Sequence, residues 1–354
     1  MKKIYFTVGP SQPYPKLEQY LNKAIEQDVP SLNHRGAEFK ELFKTTVDDL
    51  KKLLNIPKSY QIFFVSSALE AMERTILGCV EKSSFHIVSG SFGKSWADYA
   101  SQLNKDVTRH ELGLNNSSID LIIPKKTEII CVTQNDTSTG VWVDPKQISK
   151  LKRKYPEKLI AVDVVSSVPY VDINFMNTDI VFFSVQKGFG LPAGLGVMIV
   201  SPKALKKAEK IKQKGISIGS YHNLLNLSQK AQEFQTPETP NVLNIYLLNQ
   251  VIRDILKTGI ENIRVQTNEK SKLIYSFFES HEKYTPVVSN TKFQSPTTIV
   301  IDVKGESETI RKSLGKMSFI VGAGYGENKL KQIRIANFPA HSIKSVREML
   351  SYIK

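Results

Sequence analysis

The chain has 354 residues and a formal net charge of +14, and 41% of its residues are hydrophobic. This length and composition predict a soluble globular protein with a large core, divided into two domains or into one large and one small domain. No apolar run approaches the roughly 20 residues that a membrane-spanning helix needs, and the amino terminus lacks the long apolar segment of a secretory signal. We therefore expect a cytoplasmic protein without a membrane partner.

The positive charge has two interpretations. It is typical of nucleic-acid-binding proteins, but the lysines are spread along polar helical faces such as residues 203–214, with no recognition motif and no interleaved aromatic residues. A basic surface that favours anionic substrates is the better interpretation, and we expect no nucleic-acid partner.

The two cysteines, Cys79 and Cys131, are not spaced as metal ligands. Cys79 falls in an amphipathic helical pattern and Cys131 in a strand, so both are expected to be buried structural thiols. We expect no metal site.

Near the amino terminus, apolar spacing predicts a helix over residues 15–27 and another over residues 39–54. The polar loop between them contains the adjacent pair His34 and Arg35. Such a pair is often only solvated, but it also supplies donors suited to a phosphate or a carboxylate.

Three predicted strands, residues 61–65, 85–89 and 128–132, each end in polar or glycine-rich turns. After the first, small residues from Ser66 onwards lead directly into a helix, which is either an ordinary N-cap or an anion-binding turn. After the second, Phe92 stands between glycines, and we expect its ring to face a cleft as a stacking partner for a flat cofactor. After the third, residues 133–140 form either a plain turn or a run of functional donors.

Two further strand ends carry an acid and an amine. The apolar run ending at Asp163 and the run that precedes Lys187 both read as buried parallel strands, which would deliver the two groups to the same sheet edge. A carboxylate and a lysine at this spacing suit pyridoxal phosphate chemistry, in which the lysine binds the cofactor and the acid pairs with its ring nitrogen. The pair alone is weak evidence, because polar residues are common at strand ends.

The carboxyl-terminal third has a different pattern. Residues 215–240 lose clear periodicity, residues 242–281 read as a helical stretch that could link two domains, and residues 298–303 and 332–336 read as strands. Arg334 lies between apolar neighbours and is either an edge residue or a carboxylate clamp. Glycines at positions 322, 324 and 326 predict a flexible loop. We expect an α/β fold with a mostly parallel central sheet flanked by helices, and a smaller C-terminal α+β domain.

The order of these pieces resembles the class V aminotransferases of the fold-type I pyridoxal-phosphate enzymes, most closely their phosphoserine-specific branch. The resemblance covers nearly the whole chain. Its motifs are Gly9-Pro10, His34-Arg35-Gly36, Ser66 to Leu69, Gly90-Ser91-Phe92-Gly93, Asn135-Asp136-Thr137, Asp163 with Ser166-Ser167, Gln186-Lys187, Phe234 to Pro237, and Arg334 with Asn337 and Pro339.

The resemblance implies a role for each of these groups, a large domain of residues 16–254, and a small domain of residues 1–15 and 255–354. Lys187 and Asp163 would be catalytic, with Lys187 bound to pyridoxal 5'-phosphate and Asp163 paired with its ring nitrogen. Phe92 would stack on the ring and Thr137 would bind its phenolic oxygen. The cofactor phosphate would be held by Ser67, Ala68, Leu69 and Gln186, with Thr236 reaching in from the second subunit of a homodimer. Substrate would be bound by His34, Arg35 and Arg334.

The implied reaction is transamination between an amino acid and a 2-oxo acid, with phosphoserine and 2-oxoglutarate favoured. Two departures from that branch leave the substrate open: Leu69 stands where an arginine is usual, and Gly324-Tyr325-Gly326 stands where a His-Arg pair is common. The alternatives are alanine or serine transamination with glyoxylate or pyruvate, a class V lyase with a reactive cysteine, and a non-catalytic basic binding protein.

Overall fold

A computed structural model of the chain describes residues 2–116 and 118–353. The strands are β1 (Ile4–Phe6), β2 (Gln61–Val65), β3 (Ser83–Val88), β4 (Asp106–Glu111), β5 (Ile129–Thr133), β6 (Asn135–Asp136), β7 (Val141–Trp142), β8 (Leu159–Asp163), β9 (Ile180–Ser184), β10 (Gly196–Val200), β11 (Thr285–Pro286), β12 (Thr298–Asp302), β13 (Phe319–Ala323) and β14 (Gln332–Ala336). The α-helices are α1 (Leu17–Glu26), α2 (Ala37–Leu54), α3 (Ala68–Cys79), α4 (Ser91–Gln102), α5 (Pro145–Lys154), α6 (Pro202–Gln213), α7 (Leu224–Gln232), α8 (Val242–Thr258), α9 (Ile260–Glu279), α10 (Ser307–Lys316) and α11 (Ile343–Ser351).

The central sheet has the strand order β2-β10-β9-β8-β5-β3-β4. Only β10 runs antiparallel to its neighbours, so the predicted mostly parallel sheet is confirmed. Strands β5, β8 and β9 are buried along their whole length and apolar up to a polar last residue, as expected for parallel strands that are covered on both faces. Helix α3 packs against β9 and β10, while α4 packs against β3 and β5.

This topology brings six strand ends to one edge. Strands β2, β3, β4, β5, β8 and β9 run in the same direction, and their carboxyl ends lie at Val65, Val88, Glu111, Thr133, Asp163 and Ser184. In the register of the sheet, Thr133 lies beside Asp163, which in turn lies beside Phe182. Ligands of open α/β sheets bind at such an edge, and the functional side chains follow directly from it.

A second sheet has the order β1-β13-β14-β12-β11. This sheet and the helices beside it form a separate hydrophobic cluster, which includes Phe6, Phe278 and Ile335. The predicted smaller α+β unit is therefore present. Arg334 lies on β14 between β13 and β12 and is therefore not an edge residue. We keep the division into residues 16–254 and residues 1–15 with 255–354 as a proposal, which the two separate hydrophobic clusters support.

Three local predictions are corrected. Residues 215–240 are not irregular throughout, because α7 lies within them and its N-cap Asn223 accepts hydrogen bonds from the amides of Leu225 and Asn226. Residues 242–281 form two helices, since Gly259 takes the left-handed φ of 85° and ends α8 before α9 begins. Gly322 and Ala323 belong to strand β13 rather than to a loop.

Within residues 2–116 and 118–353, no helix is long and apolar enough to cross a membrane. Cys79 and Cys131 are both buried and free, as predicted. Burial raises the pKa of both thiols well above its usual range, which keeps them protonated and unreactive.

Candidate active site

A cavity of about 330 Å³ opens at the carboxyl edge of the central sheet. Of the twelve predicted site residues, nine line it: Ser67, Ala68, Leu69, Phe92, Thr137, Asp163, Gln186, Lys187 and Arg334. A larger groove of about 1080 Å³ runs between α5 and α9, but none of the predicted site residues lines it. The smaller cavity is therefore the candidate active site.

Asp163 is the last residue of β8 and is almost completely buried. The amide of Val165 donates a hydrogen bond of 2.9 Å to its Oδ1, which fixes the carboxyl group at the base of the cavity. Burial raises the pKa of Asp163 to about 7, although the Val165 hydrogen bond and the positive charge of Lys187 act in the opposite direction. A carboxyl group with this pKa is about half ionised at pH 7, and a nearby cation favours its ionised form.

Lys187 lies three residues beyond the end of β9 and is also buried. Burial lowers its pKa to about 8, despite the attraction of Asp163 and Asp136, and the cation of Arg334 lowers it further. Its Nζ lies 5.0 Å from the centroid of the Phe92 ring. A buried lysine with a lowered pKa is poised to act as a nucleophile and a base.

The main chain of Gly9 lies directly against Lys187. A Cβ atom at position 9 would lie 2.8 Å from Cε of Lys187, and Gly9 has a φ of +143°. Both observations require glycine here. Residues 8–10 are therefore part of the cavity wall.

Helix α3 begins at the cavity. Ser67 is its N-cap and accepts a hydrogen bond from the amide of Glu70, while the amide of Ala68 donates 2.8 Å to Oγ of Ser184. The amides of Ser67 and Leu69 have no acceptor among the described residues. Unpaired amides at the positive end of a helix form an anion site.

Phe92 lies in the first turn of α4, and Asp136 holds this turn in place. Oδ2 of Asp136 accepts hydrogen bonds from the amides of Phe92 (3.0 Å) and Gly93 (3.4 Å). A Cβ at position 90 would lie 2.6 Å from Cγ of Asp136, so the glycine permits the close approach. Gly90 therefore allows a tight helix start, and Phe92 lines the cavity.

Arg334 reaches from the second sheet to the turn that follows β6. Its Nε donates 2.6 Å to the carbonyl of Ala323 and its Nη1 donates 3.1 Å to the carbonyl of Thr137. Its guanidinium also lies 5.5 Å from the ring of Tyr325, which in turn lies 5.8 Å from the ring of Phe92. Nη2 has no acceptor in the described part of the chain and is free to bind a ligand.

The three remaining predicted residues, His34, Arg35 and Thr236, do not line this cavity. They lie together elsewhere. Nη1 of Arg35 donates 2.7 Å to the carbonyl of Thr236 and 2.7 Å to Oε1 of Gln235, and Nη2 donates 3.0 Å to the carbonyl of Pro237. Nδ1 of His34 lies 3.5 Å from Oγ1 of Thr239. The cavity of one chain thus lacks these three residues, which the resemblance implies would come from a second subunit.

Several cavity residues were not assigned a role from the sequence: Asn135, Ser166, Ser184 and Tyr325. Nδ2 of Asn135 donates to Oγ of Ser166 (2.8 Å) and to Oγ1 of Thr297 (3.0 Å), tying the two sheets together below the cavity. Ser166 and Ser184 follow or end buried strands, which is the same signal that singled out Asp163. The resemblance singled out the Gly324-Tyr325-Gly326 segment, but the contact of Tyr325 with Phe92 depends on how the second sheet packs.

Pyridoxal 5'-phosphate fits these residues. The cavity has the size of a small-molecule site, with unpaired α3 amides for a phosphate and a buried lysine and acid for the ring. Oε1 of Gln186 is buried without a partner among the described residues, so this side chain also has unused hydrogen-bonding capacity. None of the described residues forms a cluster of three or more His, Cys, Asp or Glu side chains suited to a metal ion.

Comparison with known proteins agrees with this chemistry. The family model of aminotransferase class-V matches residues 8–329. A phosphoserine aminotransferase of Rhodococcus opacus is 25% identical over 355 residues, covering 98% of this chain and 93% of that protein. The crystal structure of a phosphoserine aminotransferase from Cytophaga hutchinsonii is 43% identical, with a TM-score of 0.96 over 99% of this chain and 98% of that chain. An alanine–glyoxylate aminotransferase from Nostoc sp. shares the fold, with a TM-score of 0.84 at 20% identity over 99% of this chain and 94% of that chain.

Proposed function

Because this chain belongs to aminotransferase class V, we propose that its transaminase activity converts phosphoserine and 2-oxoglutarate into 3-phosphohydroxypyruvate and glutamate, a step in the formation of serine. The similarity to a structure of that activity at 43% identity, over nearly the whole of both chains, carries this proposal. The protein uses pyridoxal 5'-phosphate, which, when bound, withdraws electrons from the α-carbon of the amino acid.

Several residues around the cavity would each bind a different part of that cofactor. Asp163 would hold the proton at the ring nitrogen, Phe92 would stack on the ring and Thr137 would bind its phenolic oxygen. The phosphate would be bound by the amides and hydroxyl of the Ser67 to Leu69 turn and by Gln186. We add Ser184, because its Oγ accepts from the amide of Ala68 and its own hydrogen stays available.

Lys187 would bind the cofactor covalently and, once freed by the incoming amino acid, would move the α-proton with Nζ. Its lowered pKa of about 8 leaves an appreciable neutral fraction near pH 7.5, and only the neutral amine accepts a proton. Arg334 would clamp the α-carboxylate of the substrate with Nη2, since its other contacts already fix the plane of the guanidinium.

We propose that His34, Arg35 and Thr236 complete the site across a homodimer. Each is suited to bind an anion, yet they lie outside the cavity of their own chain. Apolar side chains near the α3 turn and in the adjacent loops are exposed, with Tyr221 at 61%, Leu69 at 47% and Phe234 at 37%. Exposed apolar groups grouped beside an incomplete site favour a protein partner, and a second copy of this chain would supply the missing residues.

The alternative donors are alanine and serine, with glyoxylate or pyruvate as the acceptor. Leu69 and Tyr325 favour this alternative, because they stand where the phosphoserine-specific branch usually has an arginine and a His-Arg pair. The lyase alternative is disfavoured, since both cysteines are buried.

A role as a non-catalytic basic binding protein is disfavoured, because this chain belongs to a family of aminotransferases. Cytoplasmic location and the absence of nucleic-acid and membrane partners remain part of the proposal, on the sequence arguments given above.

The decisive experiment is a half-reaction. The loaded enzyme is mixed separately with phosphoserine, glutamate, alanine and serine, while the absorption of the bound cofactor is followed. Rapid conversion by phosphoserine and glutamate, with alanine and serine slow, is the expected result. Conversion by alanine or serine with phosphoserine inert would move the protein to the alternative.

Substitution of the phosphate-binding candidates adds a second test. His34→Ala is the cleaner variant, because its one described contact within the chain is the 3.5 Å approach to Thr239, whereas Arg35 also holds the carbonyls of its own loop. We expect His34→Ala to reduce kcat/KM for phosphoserine about tenfold or more and to leave glutamate turnover nearly unchanged. Equal losses for both donors would contradict the phosphate-binding role.

A further inference from the structure

Beside the active-site cavity, a buried histidine lies between two carboxylates. Nδ1 of His222 contacts Oε1 of Glu70, and its Nε2 lies 2.5 Å from Oε2 of Glu238. His222 is 4% exposed, and both acids are partly buried. We call these three residues the Glu70–His222–Glu238 bridge.

The contacts define the protonation state of the histidine. A neutral imidazole has one N–H donor, so one of its nitrogens would direct a lone pair at a carboxylate oxygen. With both carboxylates ionised, both contacts are attractive only if both ring nitrogens are protonated, and we infer that the bridge contains an imidazolium. Although burial acts to lower the pKa of His222, the hydrogen bonds to Glu238 and Glu70 raise it to about 9.

No other cation in the described part of the chain takes the place of His222 between Glu70 and Glu238. Tyr221 stacks on its ring at 4.6 Å. Arg74 and Glu73 of α3 line the same small cavity but form an ion pair with each other. His222 is thus the cation that directly contacts the two carboxylates of the bridge.

One end of the bridge holds the turn at the start of α3. Oε2 of Glu70 accepts hydrogen bonds from the amide of Ser66 (2.8 Å) and from its hydroxyl (2.6 Å). Ser66 directly precedes Ser67, whose amide is one of the unpaired donors facing the cavity. Glu70 therefore shapes the turn that we assign to the cofactor phosphate.

The other end of the bridge holds residues 234–239, which we call the 234–239 loop. The carbonyl of Glu238 accepts a hydrogen bond of 2.7 Å from Oγ1 of Thr236. Arg35 in turn binds the carbonyls of Thr236 and Pro237. A continuous chain of contacts thus connects the α3 turn with two of the three residues that lie outside the cavity.

We propose that protonated His222 is a positioning residue, which fixes the 234–239 loop against the α3 turn, so that the turn is preformed for the cofactor phosphate of its own chain and the loop is preformed for the site that it completes in the partner subunit. This inference rests on the roles proposed above for Thr236 and Arg35. His222 does not line the active-site cavity, so its effect is on binding rather than on the chemical step. When the imidazolium loses one of its two ring protons, one of the two carboxylate contacts is lost and the 234–239 loop is released.

The protonation state can be measured without any activity. The six histidines are labelled with ¹³C and ¹⁵N in the loaded enzyme, the His222 signal is assigned with His222→Gln, and its ring shifts are followed from pH 6 to 10. We expect His222 to be doubly protonated at pH 7.5, and its midpoint to fall by at least one pH unit in Glu238→Gln. A neutral His222 at pH 7.5, or an unchanged midpoint, would overturn the proposal.

The positioning role is tested by separating binding from turnover. For His222→Gln we expect the Kd of pyridoxal phosphate and the KM for phosphoserine to rise about tenfold at pH 7.5, with kcat within about twofold. We also expect wild type to approach the Kd of this variant at pH 9.5. His110→Gln, on edge strand β4, is the matched control and should behave as wild type. A loss in kcat alone, or unchanged Kd and KM, would refute the role.

The bridge and the choice of phosphoserine as the substrate are tested independently of each other. If phosphoserine is inert in the half-reaction, the effect on KM is measured with the donor that reacts, while the titration and the cofactor Kd still test the bridge. If His222 is neutral, the bridge fails and the half-reaction stands unaffected.

Discussion

Asp163 and Lys187 line one buried cavity, with pKa values shifted towards each other, to about 7 and about 8 respectively. Burial drives both shifts, because an acid becomes harder to ionise and an amine harder to protonate away from water. Such paired shifts are typical of catalytic groups. They also make several properties of the protein testable.

Replacing Lys187 should abolish transamination. Lys187→Ala removes the amine that would bind the cofactor and move the α-proton, and proton transfer alone contributes about 10²- to 10⁴-fold to such reactions. We expect no measurable half-reaction with any amino donor and a changed absorption of bound cofactor. Lys94→Ala, an exposed lysine of α4, is the control and should retain full activity. A fully active Lys187→Ala would refute the proposed mechanism.

The pH dependence of stability should report Asp163 in the protein without cofactor. Its pKa in the folded protein is about 7, above the usual value of 3.8. The neutral carboxyl group therefore adds its full contribution to the free energy of unfolding below pH 3.8, and this contribution is lost as the pH rises through 7. Asp163→Asn cannot ionise. Its Tm relative to wild type should therefore rise by at least about 2 °C between pH 5 and pH 8.5.

Asp98→Asn is the control for that measurement, because Asp98 is exposed and paired with Arg109. Its Tm difference from wild type should be nearly the same at both pH values. If Asp163→Asn also gave a constant difference, the carboxyl group would not be titrating near neutrality.

Adding one methyl group at position 9 should misplace the catalytic amine. In Gly9→Ala the new Cβ would lie 2.8 Å from Cε of Lys187, and a displacement of about 1 Å in an active site can cost about 10²-fold in rate. Gly305→Ala is a matched control, since Gly305 also has a positive φ, of +88°, but has nothing within 4 Å of the added atom. Similar activity in the two variants would show that the contact with Lys187 is unimportant.

Arg334→Lys should weaken binding of both the amino acid and the 2-oxo acid. A lysine can still reach the carbonyl of Ala323, but it lacks the free Nη2 and the planar fork that binds a carboxylate in two places. We expect KM for both substrates to rise about tenfold. Arg311→Lys, whose Nε donates to the carbonyl of Val321 beside the same sheet, should change neither. A change in kcat with constant KM would argue against the carboxylate clamp.

The sequence predicted the cavity side of the central sheet well. The runs that end at Asp163 and before Lys187 are short, apolar and buried on both faces, so their carboxyl ends could be assigned from the pattern alone. The α3 turn and Phe92 follow strands of the same kind. Because parallel strands share one edge, their side chains meet in space although they are far apart in the chain.

The sequence predicted less where position depends on irregular chain or on packing between sheets. His34, Arg35 and Thr236 belong to loops whose course is set by mutual hydrogen bonds. Strand β4 is a half-exposed edge strand without a clear apolar pattern, and α7 is a nine-residue helix too short for a clear period. Nothing in the sequence pattern pointed to His222, because neither of its acidic partners is near it in the sequence.

The contact between Arg334 and the carbonyl of Thr137 has a consequence for how the protein could diversify. Most groups assigned to the cofactor follow strands of the central sheet, whereas Arg334 lies on β14 and exposed Tyr325 lies in the connection between β13 and β14. We therefore expect a change at position 325 to alter which amino acid is accepted while leaving the anchoring of Lys187 and Asp163 untouched. The two-sheet architecture separates the evolution of substrate preference from the preservation of the chemistry.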